Sequence, residues 1–339
     1  MKSKKTEIES ARAQLLEKIR NLGAHNFDEL AHAVFQYQYE FNPIYQLFVQ
    51  LMGVDPQEVT QISEIPFLPI QFFKHHQLQS GEWDPVQIFS SSGTTGNATA
   101  QHYLRSASFY KSASKSCFET FYGPLEQYCY LALLPSYLER NNSSLVYMAQ
   151  YFIEQSSFSE SGFYLNEFEK LIQQIQYCKT KNIPVVLIGV SFALLDLAEQ
   201  YQLDARDIIV METGGMKGRR KEITRGELHQ ELSKALGVSK IHSEYGMTEL
   251  FSQAYSKGDG LFYNGPSLKI IPRELNDPKA IANFGQTAAL NFIDLANLDT
   301  ISFIASDDLG KVFEDGSFMV LGRMDHSDLR GCNLLIDQY

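Results

Sequence analysis

The chain has 339 residues, 44% hydrophobic and 20% charged, with a formal net charge of −11; this composition suits a globular protein with a sizeable core and excludes a disordered one. The negative charge disfavours nucleic acid as principal partner, since phosphate backbones are gathered by positive surfaces. No run approaches the roughly 18 apolar residues needed to span a bilayer, and the opening MKSKKTEIESARAQLLEKIR lacks the apolar core of a secretory signal. Four cysteines without CxxC or Cys/His spacing argue against zinc and predict free thiols in a cytoplasmic protein.

The front of the chain reads as helical. Asn26 is placed to cap a helix carrying Phe27, Leu30, Ala31, Val34 and Phe35 at helical spacing. Asn42-Pro43 opens another, with Ile44, Leu47, Phe48 and Leu51 on one stripe, and both stripes are expected in the core. From about Val86 the texture changes. YCYLALLP (128–135), IPVVLIGV (183–190) and DIIVMETGG (207–215) predict buried strands that leave toward Ser- or Gly-rich turns, and NEFEKLIQQIQYCKTKN between them has helical spacing. After Gly258 strands dominate, in PSLKIIP, QTAALNFIDL, TISFIAS and GSFMVLGR, with Asp315-Gly316 as a turn. The predicted class is α/β: a helical N-terminal region over 1–80 packed on a core of 81–321, which has a central βαβ sheet and a β-rich rear, then a short segment 322–339.

Four stretches carry chemistry. In FSSSGTTGNATAQHY, Ser91, Ser92, Gly93, Thr94, Thr95 and Gly96 combine glycines that admit a ligand to the backbone with hydroxyls and amides that can surround phosphate oxygens; the stretch suits a polar surface turn equally well. It is not a Walker A loop, which needs a lysine. In IHSEYGMTELFSQAY a strand delivers Tyr245, Gly246, Thr248 and Glu249 to a turn, where Thr248 suits a phosphate oxygen and Glu249 a magnesium ion, or simply the start of a helix. Asp308, expected in a turn, and Arg323 offer a ribose acceptor and a phosphate partner, or a hairpin with a solvated acidic turn. In LRGCNLLIDQY, Cys332 alone reads as a buried thiol.

The order SSSGTTG, YGMTE, SDDLG, GRMD and RG resembles the core motifs of the adenylate-forming superfamily. EIPFLPIQFFK, LPSYLERNNSSLVYM, ETGGMKGRRKEITRGELH and RGCNLL further resemble the LuxE-type acyl-protein synthetase family, over most of the chain. The resemblance implies the adenylate-forming large-domain architecture, with the superfamily's small C-terminal lysine domain expected to be absent, as in LuxE-type proteins. It implies ATP phosphates on Ser91 to Gly96, adenine against Gly214, Gly215 and Tyr245, and the α-phosphate on Thr248. Magnesium is implied on Glu249, ribose on Asp308 with Arg323 behind it, a hinge at Asp325, and the acyl group accepted by Cys332 beside Arg330. The implied activity is conversion of a carboxylic acid, expected to be a fatty acid, into an acyl-adenylate, then a thioester on Cys332, for a partner such as an acyl reductase. The other readings are direct delivery to coenzyme A or an acyl carrier protein, and a nucleotide-binding subunit without turnover. The superfamily's SSSGTTG usually runs on to a lysine within a few residues, whereas NATAQHY has none; Arg105 or the run Lys217, Arg219, Arg220 and Lys221 is the candidate replacement, although the run also fits a solvated loop, with Thr224 and Glu227 forming a capping box behind it. His102 and His242 are candidate acyl-pocket residues or structural histidines, and His75-His76 is expected on the surface.

Overall fold

Apolar runs without a polar face fold as strands covered on both sides. The computed structural model shows this at Cys129–Leu133 and Val185–Val190, where every residue is buried. It describes residues 2–23, 26–91, 99–134, 142–164, 167–201, 203–214, 220 and 223–324.

The chain opens with α1 (Lys2–Arg20), α2 (Phe27–Phe41) and α3 (Pro43–Leu51), followed by β1 (Leu68–Pro69), the single turn α4 (Phe72–His75), and the strands β2 (Gln87–Ser90) and β3 (Gln101–Leu104). Then come α5 (Ala107–Tyr122), β4 (Cys129–Leu133), α6 (Ser144–Gln155), β5 (Gly162–Phe163), α7 (Phe168–Thr180), β6 (Val185–Val190), α8 (Ser191–Gln200), β7 (Ile209–Thr213) and α9 (Arg225–Leu236). The rear is β8 (His242–Tyr245), β9 (Ala254–Ser256), β10 (Leu261–Asn264), β11 (Leu268–Arg273), β12 (Ala288–Asp294), β13 (Phe303–Val312) and β14 (Phe318–Arg323). Hydroxyl caps start the central helices: Ser106 accepts from Phe109 N, Ser143 from Val146 N, and Thr224 with Glu227 forms the expected capping box on α9.

Among the described residues, twelve strands form one sheet in the order β11-β12-β13-β14-β10-β9-β8-β7-β6-β4-β5, with β1 beside β13; β2 and β3 form a separate hairpin. Strands β4 to β8 run parallel and the β9 to β14 ladder is antiparallel, so the sheet changes from a βαβ half to a β-rich half at β8–β9. No helix among the described residues is long and apolar enough to cross a membrane.

The front helices are clamped to the turn after β12. Gln38 Nε2 donates to the carbonyls of Asn297 and Leu298, both at 3.1 Å, and its Oε1 accepts from Ser302 N at 3.0 Å. Arg12 of α1 grips Asp299 with two nitrogens at 2.5 and 2.7 Å. The α2 stripe is buried as expected, although the Asn26 side chain makes no capping bond. On α3 the expected face is corrected: Leu47 and Leu51 are 55% and 78% exposed, whereas Tyr45 and Val49 are buried. Tyr45 wins the inward place because its hydroxyl finds the Pro66 carbonyl at 2.7 Å while its ring stacks on Phe303 at 6.1 Å.

Gly310 lies at the irregularity where β13 shifts register against β14. A Cβ there would come within 2.2 Å of the Met319 carbonyl oxygen. Gly310→Ala is therefore expected to pry the two strands apart and to lower the unfolding free energy by about 1–3 kcal/mol, read by chemical denaturation.

Candidate active site

In an open parallel sheet, ligands collect outside the carboxyl ends of the strands, where the winding direction reverses. Here β5 lies outside β4, while β6, β7 and β8 step away on its other side. The segments leaving β6, β7 and β8 carry Ser191, Gly214 and Tyr245-Gly246. Ser191 Oγ donates to the Gly214 carbonyl at 2.5 Å, and Gly214 has φ +66°, a backbone state that glycine adopts without strain. Beside it opens a cleft of about 740 Å³ bounded by Gly214 of the β7 exit, the first turn of α9 and Gly322 of β14. Its floor holds the buried Glu212, which accepts from Arg225 Nε at 3.1 Å and has His229 Nε2 at 3.5 Å. Burial pushes the Glu212 carboxyl up, but His229 and Arg225 outweigh it and hold the group below the usual carboxylate range.

Asp308 and Arg323 are cross-strand partners on β13 and β14. Asp308 therefore lies inside a strand, not in the expected turn: pairing on both edges overrides the local preference of Ser-Asp-Asp for a loop. The buried Asp308 carboxylate accepts from Tyr245 Oη at 2.6 Å and from Arg323 Nε at 2.8 Å. The Tyr245 ring stacks on Phe292 at 5.8 Å and meets Phe318 edge-on at 5.5 Å. Burial, with Asp308 beside it, pushes the Tyr245 hydroxyl far above its ordinary value, so it stays a proton donor. A carboxylate has acceptor sites to spare beyond these two donors.

The stretch from Gly246 to Ser252 leaves the sheet without forming a helix or strand. Side chains from elsewhere hold it. Asn297 Nδ2 donates to the Glu249 carbonyl at 2.8 Å, and Asp294 Oδ2 accepts from Phe251 N and Ser252 N at 2.8 and 2.9 Å. Glu249 is 8% exposed, and burial raises its pKa; its own backbone N–H, Arg323 and Lys74 oppose that rise, and Asp308 adds to it. Lys74, exposed on α4, makes no ion pair among the described residues. Its helix follows β1, which pairs with β13 at Leu68↔Ile304 and Pro69↔Ala305, and Gln71 donates to Asp307 at 2.7 Å.

The structure thus gathers Tyr245, Glu249, Asp308 and Arg323, with Thr248 and Gly246 on the same turn. Ser91 closes the β2–β3 hairpin: its N–H donates to the Ala100 carbonyl and its Oγ accepts from Ala100 N, both at 3.0 Å. Ser92, Gly93, Thr94, Thr95, Gly96, Gly215, Lys217, Arg219, Lys221, Asp325, Arg330 and Cys332 lie outside the described residues. The two described candidates for meeting phosphate charge are engaged elsewhere. Arg105 pairs with Glu9 and Asp299 at 2.5 and 3.3 Å, and Arg220 pairs with Asp196 and Glu199 of α8. His242 takes a contact from Tyr122 Oη at 3.0 Å, and His75 and His76 are exposed. Lys74, Asp294 and Asn297 escaped the sequence reading; for Lys74 the one signal was its place at the end of EIPFLPIQFFK.

Comparison with solved structures defines the class. An open conformation of 2-hydroxyisobutyryl-CoA ligase in complex with 2-HIB-AMP and CoA has a TM-score of 0.67 and 13% identity, covering 90% of this chain and 71% of that one. ATP-bound MatB from Rhodopseudomonas palustris has a TM-score of 0.52 and 15% identity, covering 70% of this chain and 47% of that one; this chain thus matches about half of MatB's length. These likenesses establish the fold as that of adenylate-forming ligases. The family model of acyl-protein synthetase, LuxE, matches residues 21–339. The chain belongs to that family, an adenylate-forming ligase. No curated protein sequence matches it.

Cys117, Cys129 and Cys178 are free and buried. Burial raises all three thiols, Cys117 and Cys129 to about 12. These three are expected to resist iodoacetamide at pH 8 in the native protein and to label fully after unfolding, read by peptide mass spectrometry; native labelling of any of them at the rate of a free thiol would contradict their placement.

Proposed function

We propose that the protein activates a carboxylic acid, with a fatty acid as the class tested first, and loads it on Cys332 for transfer to a partner such as an acyl reductase. The observation that carries the reading is the meeting of Tyr245, Glu249, Asp308 and Arg323 at the exit of β8 in a chain of the acyl-protein synthetase family. The substrate carboxylate attacks the α-phosphorus of ATP, the bond to the β,γ-phosphates breaks, and pyrophosphate leaves. The Cys332 thiolate, after losing its proton to solvent, then attacks the acyl carbon and AMP leaves.

In this reading Asp308 accepts from the ribose hydroxyls, held in place by Tyr245 and Arg323. The ring of Tyr245 forms a wall for adenine next to Gly214 and Gly215. Ser91 to Gly96 cradle the terminal phosphates, and Thr248 donates to the α-phosphate. Glu249 fits a magnesium ion: it is a single carboxylate to which no other described residue donates a hydrogen bond, and magnesium is commonly held by one or two carboxylates plus substrate phosphates. When bound, the ion neutralises phosphate charge. Lys74, placed where its charge reaches Glu249, supplies the cation that the segment after the phosphate loop lacks. Cys332 is favoured as acceptor because the three described cysteines are buried with raised thiol pKa values.

With ATP, magnesium and labelled fatty acid, intact mass is expected to show a hydroxylamine-sensitive acyl adduct that Cys332→Ala abolishes while pyrophosphate release persists. Pyrophosphate release only when coenzyme A or a carrier protein is added would replace self-acylation with direct delivery. Lys74→Ala is expected to cut the rate of pyrophosphate release by roughly 10- to 100-fold with little change in Tm; an unchanged rate would remove Lys74 from the site.

A further inference from the structure

His102 sits on β3, the strand that leaves the phosphate-loop segment, and is wholly buried. Its Nδ1 lies 2.9 Å from the carbonyl oxygen of Thr248 and its Nε2 lies 2.7 Å from Thr300 Oγ1. The ring stacks on Phe251 at 4.0 Å and 12°, and Phe73 meets it edge-on at 5.2 Å. A carbonyl only accepts, so Nδ1 carries the proton. Burial drives the imidazole pKa down to about 3, so the ring is neutral and Nε2 must accept, from the Thr300 hydroxyl. Thr300 Oγ1 also lies 3.3 Å from the Asn297 carbonyl, a longer contact than its 2.7 Å approach to Nε2. One tautomer satisfies both ends.

The consequence falls on Thr248 and Glu249. Their carbonyls are held from opposite sources, Thr248 by His102 and Glu249 by Asn297 at 2.8 Å. The Thr248 carbonyl shares its peptide plane with the Glu249 N–H, so fixing the first fixes the second. A turn without secondary structure of its own is thereby given a single geometry, and its reference point is the strand that bears the phosphate loop.

We infer that His102 is a positioning residue for adenylation: its Nδ1–H bond to Thr248 sets the register between the phosphate-loop strand and the turn that presents Thr248 and Glu249 to the nucleotide. This rests on the adenylation reading above. It accounts for a buried imidazole that neither binds a metal nor faces a substrate in that reading: Nδ1–H aims the Thr248 carbonyl, and Nε2, by accepting from Thr300, fixes the tautomer that carries that proton.

Two amides separate aim from mere packing. In His102→Asn the side-chain N–H stands near the place of Nδ1–H and keeps the Thr248 bond, while the Thr300 contact is lost. In His102→Gln the amide reaches toward Thr300 and the Thr248 bond is lost. Both variants are expected to lose thermal stability to a similar degree. His102→Asn is expected to keep kcat for pyrophosphate release near the wild-type value, and His102→Gln to lose about 10- to 100-fold in kcat with little change in the KM for ATP. Loss of activity in proportion to stability in both, or a fully active His102→Gln, would overturn the proposal. If neither variant folds, ¹⁵N imidazole NMR of the wild-type protein decides: an Nδ1–H tautomer is expected, and an Nε2–H tautomer overturns the assignment. Absence of pyrophosphate release from the wild type with every acid tried would instead sink the adenylation reading, leaving the tautomer result to stand by itself.

Discussion

Asp294, at the end of β12, is completely buried, and its two oxygens take hydrogen bonds from Phe251 N, Ser252 N, Ser252 Oγ and Ala296 N at 2.8, 2.9, 2.6 and 3.0 Å. Burial raises its pKa against the pull of these donors. Each donor left unpaired in such a place costs about 1–3 kcal/mol, so the carboxylate ties the stretch that follows Glu249 to the sheet. The adjoining turn, Asn297 to Ser302, also receives Gln38 and Asn42 from the front helices and Arg12 from α1. One buried polar patch therefore anchors the N-terminal helices on one side and the candidate catalytic turn on the other. Partly satisfied, such a network would destabilise the fold; fully satisfied, it specifies a single arrangement.

The site that results draws on regions far apart in the chain. The parallel half of the sheet supplies Gly214 and Tyr245 at its strand exits, and the antiparallel half supplies Asp308 and Arg323 from one hairpin. Tyr245 joins the halves through its hydroxyl on Asp308 and its ring on Phe292 and Phe318. Catalysis of phosphoryl-group attack depends mainly on positioning and on dipoles fixed in advance. A site whose polar groups are already hydrogen-bonded to one another meets that need without reorganisation.

What was legible in the sequence follows from how each signal arises. The runs at β4 and β6 are apolar throughout because both sheet faces are covered, so they read correctly at any register, and β7 reads as a strand from Ile209 to Met211 before the polar Glu212 and Thr213 at its exit. The α3 sequence PIYQLFVQL is apolar on two faces, and spacing alone could not choose between Leu47/Leu51 and Tyr45/Val49; the Pro66 carbonyl decided it. Asp308 read as a turn residue because its neighbours are Ser and Asp, and only its pairing with Arg323 reveals the strand. His102 reaches Thr248 across 146 residues and Phe251 reaches Asp294 across 43, distances at which no local pattern carries information. Of the ordered motifs, YGMTE begins at the last residue of β8 and GRMD at the last two residues of β14, whereas SDDLG lies inside β13, so the sheet brings together stretches that local pattern alone leaves unrelated.

The central claim is that Asp308 and Thr248 face one bound nucleotide. A crystal structure of the protein with a non-hydrolysable acyl-sulfamoyl adenosine tests it directly. The account predicts both ribose hydroxyls within hydrogen-bonding distance of the Asp308 carboxylate and the sulfamoyl group beside Thr248, with the adenine next to Gly214 and Tyr245. An analogue bound elsewhere, with Asp308 still engaged by Tyr245 and Arg323 alone, would contradict it.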